Sequence, residues 1–498
     1  MKLSHRFSQL LDDIWESPHK DFLLPISLLF GPLLNFGLFY VGCAYQENAV
    51  RTYGFILGQL IFLALCGLAF LSAVKHTRLS KRFWICLGII VLFYGCYFAI
   101  GLARFGLDDI LKDYCTYFAC IISPFLAGVY GAVSRSDQKF FPLMEKISFF
   151  VFPAGLIYFN GLIFNCNPFR VPYTIAPYLG MFGYATIAYT TMPLLFAHIV
   201  QFSVRGTLEL PITHKNASHP QLLRAIFIAI YWVAIIGSGT RGAYVGIAGF
   251  CILFVLSQLI HREPVGRAFI LSSVLAAVLL FNIFVYAPPA MSAVHRMDMV
   301  FEGLKQGQLI TARGETEGIQ DKLDELVDAG IDQQVTSSHP EQQPANQDEP
   351  GTGSSSEMLK IGNRGTLLKL GQKEFLNSPL TGMGPGRFEF KYGLYPHNIL
   401  LELFADTGLS GTVPMLLLVF FIFFKLLKAG WKDRAVRYYF LFLLAFAIRT
   451  MTVDRLCDSV VFLGGLGYGI AFQEFSDPLK KTEKLAAVPE DSKTDEKK

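Results

Sequence analysis

Charge is what this chain has least of. Of its 498 residues only 16% are charged and 52% are hydrophobic, whereas a soluble domain carries roughly 25% charged residues. That shortfall excludes an ordinary soluble globular fold. The nine cysteines form no CxxC and no His/Cys metal spacing, which leaves neither a disulfide framework nor a structural zinc site to be read from them. Cys43, Cys66, Cys86, Cys96, Cys120 and Cys251 lie in apolar runs, where cysteine acts as a small hydrophobe; Cys115, Cys166 and Cys457 lie near the ends of such runs. No small-residue cleavage site follows the first apolar run, so it reads as a retained helix and not a removable signal. The net charge of +4 does not point to nucleic acid, because the basic residues sort by membrane side.

What the chain does have is a succession of apolar runs, most of them near the ~20 residues that cross a hydrocarbon core about 30 Å thick. The expected fold is an all-α polytopic membrane protein of about 12 spans: 22–44, 53–74, 83–102, 114–134, 143–164, 177–204, 222–238, 242–260, 268–287, 397–424, 438–452 and 457–474. These group into helices 1–9 in residues 1–287, a long loop 288–396, helices 10–12 in 397–475, and a charged tail 476–498. Lys and Arg concentrate on the side of both termini, including Lys75, Arg78, Arg135, Lys139, Arg262, Arg267, Lys425, Lys428, Arg434 and Arg437. The positive-inside bias therefore puts both termini in the cytoplasm and the long loop outside, with the plasma membrane as the expected location.

That loop is split in charge. Residues 302–357 hold twelve acidic against three basic residues, whereas 358–395, with Arg364 and Arg387, hold six basic against two acidic. Within the acidic insertion (about 303–357), Ile319, Leu323, Leu326 and Val327 repeat at helical spacing around 316–330. The Pro/Gly/Ser/Gln-rich stretch 335–357, His339 included, cannot bury a core. Downstream, GTLLKLGQKEFLNSP reads as a second amphipathic helix, stopped by Pro379, and Gly382, Gly384 and Gly386 provide tight turns.

Four positions can carry chemistry. Arg241, in SGTRG, turns a hairpin between two apolar runs among Gly237, Ser238, Gly239 and Gly242. Snorkelling to headgroups explains it blandly; the alternative is a forked contact to phosphate oxygens. Arg387 reads equally well as a surface charge beside a turn or as a ligand contact. Arg364 starts a helix, where the dipole disfavours a cation, and that local cost favours a functional reason. His397, between Pro396 and Asn398 at the start of a long apolar helix, is either an interfacial residue or a general base able to exchange a proton near neutral pH. Glu402 and Asp406 are spaced i, i+4 on one face of that helix, and with Asn398 they are candidate cavity-lining residues.

PHNILLELFADTGLSGTVP resembles the His-Asn motif of the O-antigen ligase and Wzy-type polymerase superfamily. NSPLTGMGPGRF resembles the segment preceding it in that family, Arg364 stands at the place of the family's loop arginine, and SGTRGAYVGI resembles its earlier Ser/Arg hairpin. The resemblance covers about 235–415; the insertion at 303–357 is a departure from it. It implies a glycosyltransferase without metal or cofactor that takes a glycan from a polyprenyl-diphosphate carrier to an acceptor hydroxyl on lipid, glycan or protein. It implies further that Arg241 and Arg364, with Arg387 as a further candidate, hold the donor diphosphate and that His397 acts as base. Ligase, polymerase and protein O-oligosaccharyltransferase remain alternatives within the family. A lipid-linked glycan transporter is the alternative from another class, although the two halves show no internal repeat of the kind transporters use.

Overall fold

The computed structural model describes residues 2–31, 34, 48–77, 79–106, 109–149, 184–203, 220–238, 241–285, 364–384, 386–392, 398–453 and 459–472. Outside them lie His397, the insertion 303–357 with its expected helix around 316–330, and the tail 476–498. The described residues are helical, with no strand among them. In chain order the helices are α1 (Lys2–Glu16), α2 (23–31), α3 (Asn48–His76), α4 (Lys81–Phe105), α5 (Asp109–Ser134), α6 (140–149), α7 (Tyr184–Ser203), α8 (Pro220–Ser238), α9 (Arg241–Ile260), α10 (Gly266–Val285), α11 (Arg364–Asn377), α12 (Arg387–Tyr392), α13 (Ile399–Lys432), α14 (Arg434–Val453) and α15 (Val460–Phe472). Among the described residues three stretches are long and apolar enough to cross a bilayer, Ile56–His76 in α3, Gly242–Ile260 in α9 and Ile399–Lys432 in α13. Shorter apolar helices include Ile122–Ser134, Gln221–Trp232, Gly266–Val278 and Val460–Phe472.

Helix ends follow local chemistry. Ser80 caps α4 by accepting from the N–H groups of Arg82 (3.1 Å) and Phe83 (3.3 Å), and Gly106, at φ 70°, ends it with an N–H to the Leu102 carbonyl. α1 is an addition to the expected elements. Its Leu11 is buried against the protein while Phe7 and Leu10 stay exposed, and Ser72 and Lys75 of α3 hydrogen-bond to Leu11 and Ser8.

Helix packing explains the glycine-rich α15. A Cβ on Gly128 of α5 would sit 2.0 Å from the Gly464 carbonyl oxygen, so the two helices approach backbone to backbone, as small residues permit in membranes. Lys425 of α13 is buried and donates to the carbonyls of Gly469 (2.8 Å) and Ile470 (3.1 Å) near the C-terminal end of α15, where a cation meets the negative end of the helix dipole. A buried polar cluster ties α6, α7 and α8. Arg224 grips both oxygens of Glu145 (2.6 and 3.2 Å), and Ser148 bonds the His198 ring (2.8 Å).

Basic residues meet acidic partners at one end of the bundle. Lys75 pairs with Asp12 (2.6 Å), Lys139 with Asp21 (2.6 Å), and Arg135 with Asp137 and Asp433. Glu263, between α9 and α10, takes Arg434 (3.5 Å), Arg437 and Tyr438. Most of these basic residues are ones that the charge bias assigns to a single membrane side. α9 and α14 run antiparallel from this end. Phe254 packs on Tyr438 (5.2 Å between rings), and further along Gly246 faces the Ala445 carbonyl.

Candidate functional site

At the other end of the bundle, the polar segment following residue 363 docks onto the first turns of α13. The expected amphipathic helix forms as α11, beginning at Arg364 and ending at Asn377, two residues before Pro379. Leu367, Phe388 and Ala405 are buried together, with Leu370 and Tyr392 packed on them. Gly371 lies so close to Leu401 that a Cβ there would be 2.7 Å from its Cδ2, and Phe375 meets Phe404 edge to face at 5.1 Å. Each fully buried Leu or Phe contributes about 1.5–3 kcal/mol, enough for a cluster of this size to hold the segment in place.

Glu374 locks α12 to α11. It is buried and accepts from Lys391 Nζ (3.0 Å) and from the Tyr392 hydroxyl. Burial first, and the Glu374 carboxylate second, push the Tyr392 phenol well above its ordinary range, so it stays protonated and keeps donating. Glu374→Ala strands that hydroxyl and is expected to cost about 1–3 kcal/mol. The effect should read as faster amide hydrogen exchange across 364–392; wild-type exchange rates there would disprove the lock.

The segment between α11 and α12 is stitched into a break in α13. Gly408 sits at φ 60°, ψ −161°, which interrupts the helix. The backbone groups released there are taken up by the loop. Leu409 N–H donates to the Pro379 carbonyl (2.8 Å) and Ser410 N–H to that of Leu380 (3.0 Å). In return, Met383 N–H donates to the Ala405 carbonyl (2.8 Å) and Gly384 N–H to that of Asp406 (2.9 Å). Gly386 N–H reaches the Asp406 carboxylate itself (3.2 Å). Gly382, Gly384 and Gly386 all adopt positive φ, as the glycine-rich turn predicts. Arg387, directly after this turn, is 6% exposed, and Glu402 and Asp406 are 4% and 6% exposed. The reading of Arg387 as a surface charge therefore fails: it is a buried cation at the point where the loop meets a helix bearing two buried carboxylates.

Arg241 is the first residue of α9 and Arg364 the first of α11. Asn398 has a definite structural task. Its side-chain oxygen caps α13 by accepting from Leu401 N–H (3.0 Å), and its Nδ2 donates to the Met451 carbonyl near the end of α14 (2.9 Å). The residue after His397 is thus fixed both to its own helix and to α14. Because α14 is antiparallel to α9, the end that holds Asn398 is also the end where Arg241 begins α9. Glu402 and Asp406 lie about 6 and 12 Å further along α13, at 1.5 Å per residue. The expectations from sequence pass over Arg449, 6% exposed on α14; its signal was a lone cation inside the apolar run 438–452.

Apolar helices of this length, with a polar segment clasped across the break in one of them, belong to an integral membrane protein. A family model described as O-Antigen ligase matches residues 226–416, a range that contains Arg241, Arg364, Arg387, His397, Glu402 and Asp406. Over these residues the chain is similar to that family, which supports the resemblance to the O-antigen ligase and Wzy-type polymerase superfamily of membrane enzymes. No curated protein and no solved structure matched the chain.

Proposed function

We propose that the protein transfers a glycan from a polyprenyl-diphosphate carrier to an acceptor hydroxyl on the extracytoplasmic face of the plasma membrane, as an O-antigen ligase or a polymerase of the same superfamily. The observation that carries this reading is the family match over 226–416, which brackets the arginines and the histidine named from the motifs. The fold supports it, because the helix start bearing Arg241 and the capped start of α13 after His397 share one end of the bundle. The belt of paired basic residues at the opposite end supports a cytoplasmic assignment for that end.

In the proposed reaction the acceptor oxygen attacks the anomeric carbon of the donor sugar. The bond from that carbon to the phosphate oxygen breaks, and its electron pair leaves with the polyprenyl diphosphate. His397 takes the acceptor proton. Arg241 and Arg364 hold the diphosphate and stabilise the charge that gathers there, the largest single lever in many enzymes. A leaving group that is already anionic needs neither a general acid nor a metal. Arg387, buried directly after the glycine turn, is the further candidate for the donor diphosphate.

The direct test is reconstitution of the full chain with a labelled lipid-linked glycan. Acceptor-dependent release of polyprenyl diphosphate is expected, whereas movement of intact donor across the bilayer without release would identify a transporter instead. Arg241→Ala and Arg364→Ala are each expected to lower donor kcat/KM by about tenfold to a few hundredfold, the loss of one charge-assisted contact. Unchanged donor kinetics in either variant removes that arginine from the site.

A further inference from the structure

The inward face of α14 changes character along its length. Phe442 packs edge to face on Phe140 (5.0 Å), and Phe446, one turn on, does the same to Phe196 of α7 (6.0 Å). Arg449 comes next on that face, seven residues beyond Phe442, and its guanidinium carbon lies 5.2 Å from the Phe446 ring centre. An aromatic floor therefore ends in a cation. A charge within an apolar span is costly, and where it persists it marks a functional position by default.

The height of Arg449 in the bundle follows from the contacts of α14. Tyr438 is level with Phe254, and Ala445 with Gly246. Continuing the antiparallel register by four or five residues brings 449–450 level with Arg241, the first residue of α9. On another side, Met451 holds Asn398, which begins α13. Arg449 is thus level with the start of α9 and with the start of α13, on the interior side of α14. Its planar fork suits the oxygens of a diphosphate better than a single point charge does, and the Phe446 ring beneath fixes the plane of that fork.

We propose that Arg449 is a further donor-binding residue, which contacts the diphosphate of the polyprenyl carrier together with Arg241. This rests on the reading of the site given above. The competing role is structural: a cation stacked on Phe446 that braces α14. The two roles part in the measurement. A brace, when removed, lowers thermal stability and weakens donor and acceptor use alike. A diphosphate contact, when removed, affects the carrier alone.

The test uses full-length protein in lipid nanodiscs, with polyprenyl diphosphate as the binding probe and the labelled lipid-linked glycan as substrate. Arg449→Gln and Arg449→Ala are expected to weaken carrier binding by about tenfold or more, with acceptor KM unchanged, and Arg449→Lys should restore part of the loss. Arg449→Gln keeps most of the side-chain volume, so the comparison survives if the alanine variant does not fold. Wild-type carrier affinity in Arg449→Gln overturns the proposal, and so does an equal loss of donor and acceptor use accompanied by a lower melting temperature. If the unmodified protein binds the carrier but transfers no glycan, the catalytic reading fails while the Arg449 comparison is still decided by binding.

Discussion

His397→Ala is expected to lower glycan transfer by about 10²–10⁴-fold, the usual contribution of a positioned general base, with the protein still folded in the membrane. The acceptor hydroxyl is a poor nucleophile until its proton has somewhere to go, and imidazole is the one side chain suited to accept it near neutral pH. The next residue, Asn398, is clamped through its side-chain oxygen, which accepts from Leu401 N–H, and through Nδ2, which donates to the Met451 carbonyl. His397→Gln offers a polar side chain with no basic nitrogen and should be as inactive as the alanine variant if proton transfer is the role. Activity near the wild-type level in either variant would falsify the assignment. Recovery in the glutamine variant alone would instead assign His397 to orienting the acceptor by hydrogen bonding.

Gly408→Ala is the second large effect, and it acts on the scaffold and not on the chemistry. At φ 60° and ψ −161° the backbone occupies a region essentially reserved for glycine, and occupying it with any other residue costs about 1–3 kcal/mol. Sterics add to this, since the new Cβ would lie 2.5 Å from the Leu380 carbonyl carbon and 2.7 Å from Gly382 N. Gly382 mirrors the arrangement, its own Cβ position lying 2.4 Å from the Asp406 carbonyl carbon. Neither backbone can retreat without giving up the hydrogen bonds that close the break. The expected result is release of 378–387 from α13, seen as rapid proteolysis or hydrogen exchange there, and loss of most glycan transfer as Arg387 leaves its buried position. Because the two glycines share one contact, Gly382→Ala combined with Gly408→Ala should cost clearly less than the sum of the two single changes. Wild-type protection of 378–387 in Gly408→Ala, with full activity, would show that the stitched break has no part in the mechanism.

The features legible in the sequence were those set within a few residues of themselves. α11 was foreseen because its apolar spacing, its stop at Pro379 and the glycine turn after it are local. The membrane class was legible for the same reason, since hydropathy is a property of one segment and its solvent. α1 has Phe7, Leu10, Leu11 and Ile14 at helical spacing, but its mostly polar composition gives it no apolar run of the kind that marks a span. Motif order carried the family, which the match over 226–416 bears out.

By itself, then, the sequence determined that this is a helical membrane protein, which family its 226–416 region resembles, and which arginines and histidine are candidates for its chemistry. Only the tertiary structure decided that Arg387 is buried and not a surface charge, that Asn398 is tied to α14, and that Arg449 stands level with Arg241. It also turned Gly408, an unremarkable glycine in an apolar run, into the point where a loop enters a helix. The physical reason is the same in each case. Burial, capping by a distant carbonyl and a broken helix stitched by another segment all depend on partners far away in the chain, and residue type and spacing describe only the near ones.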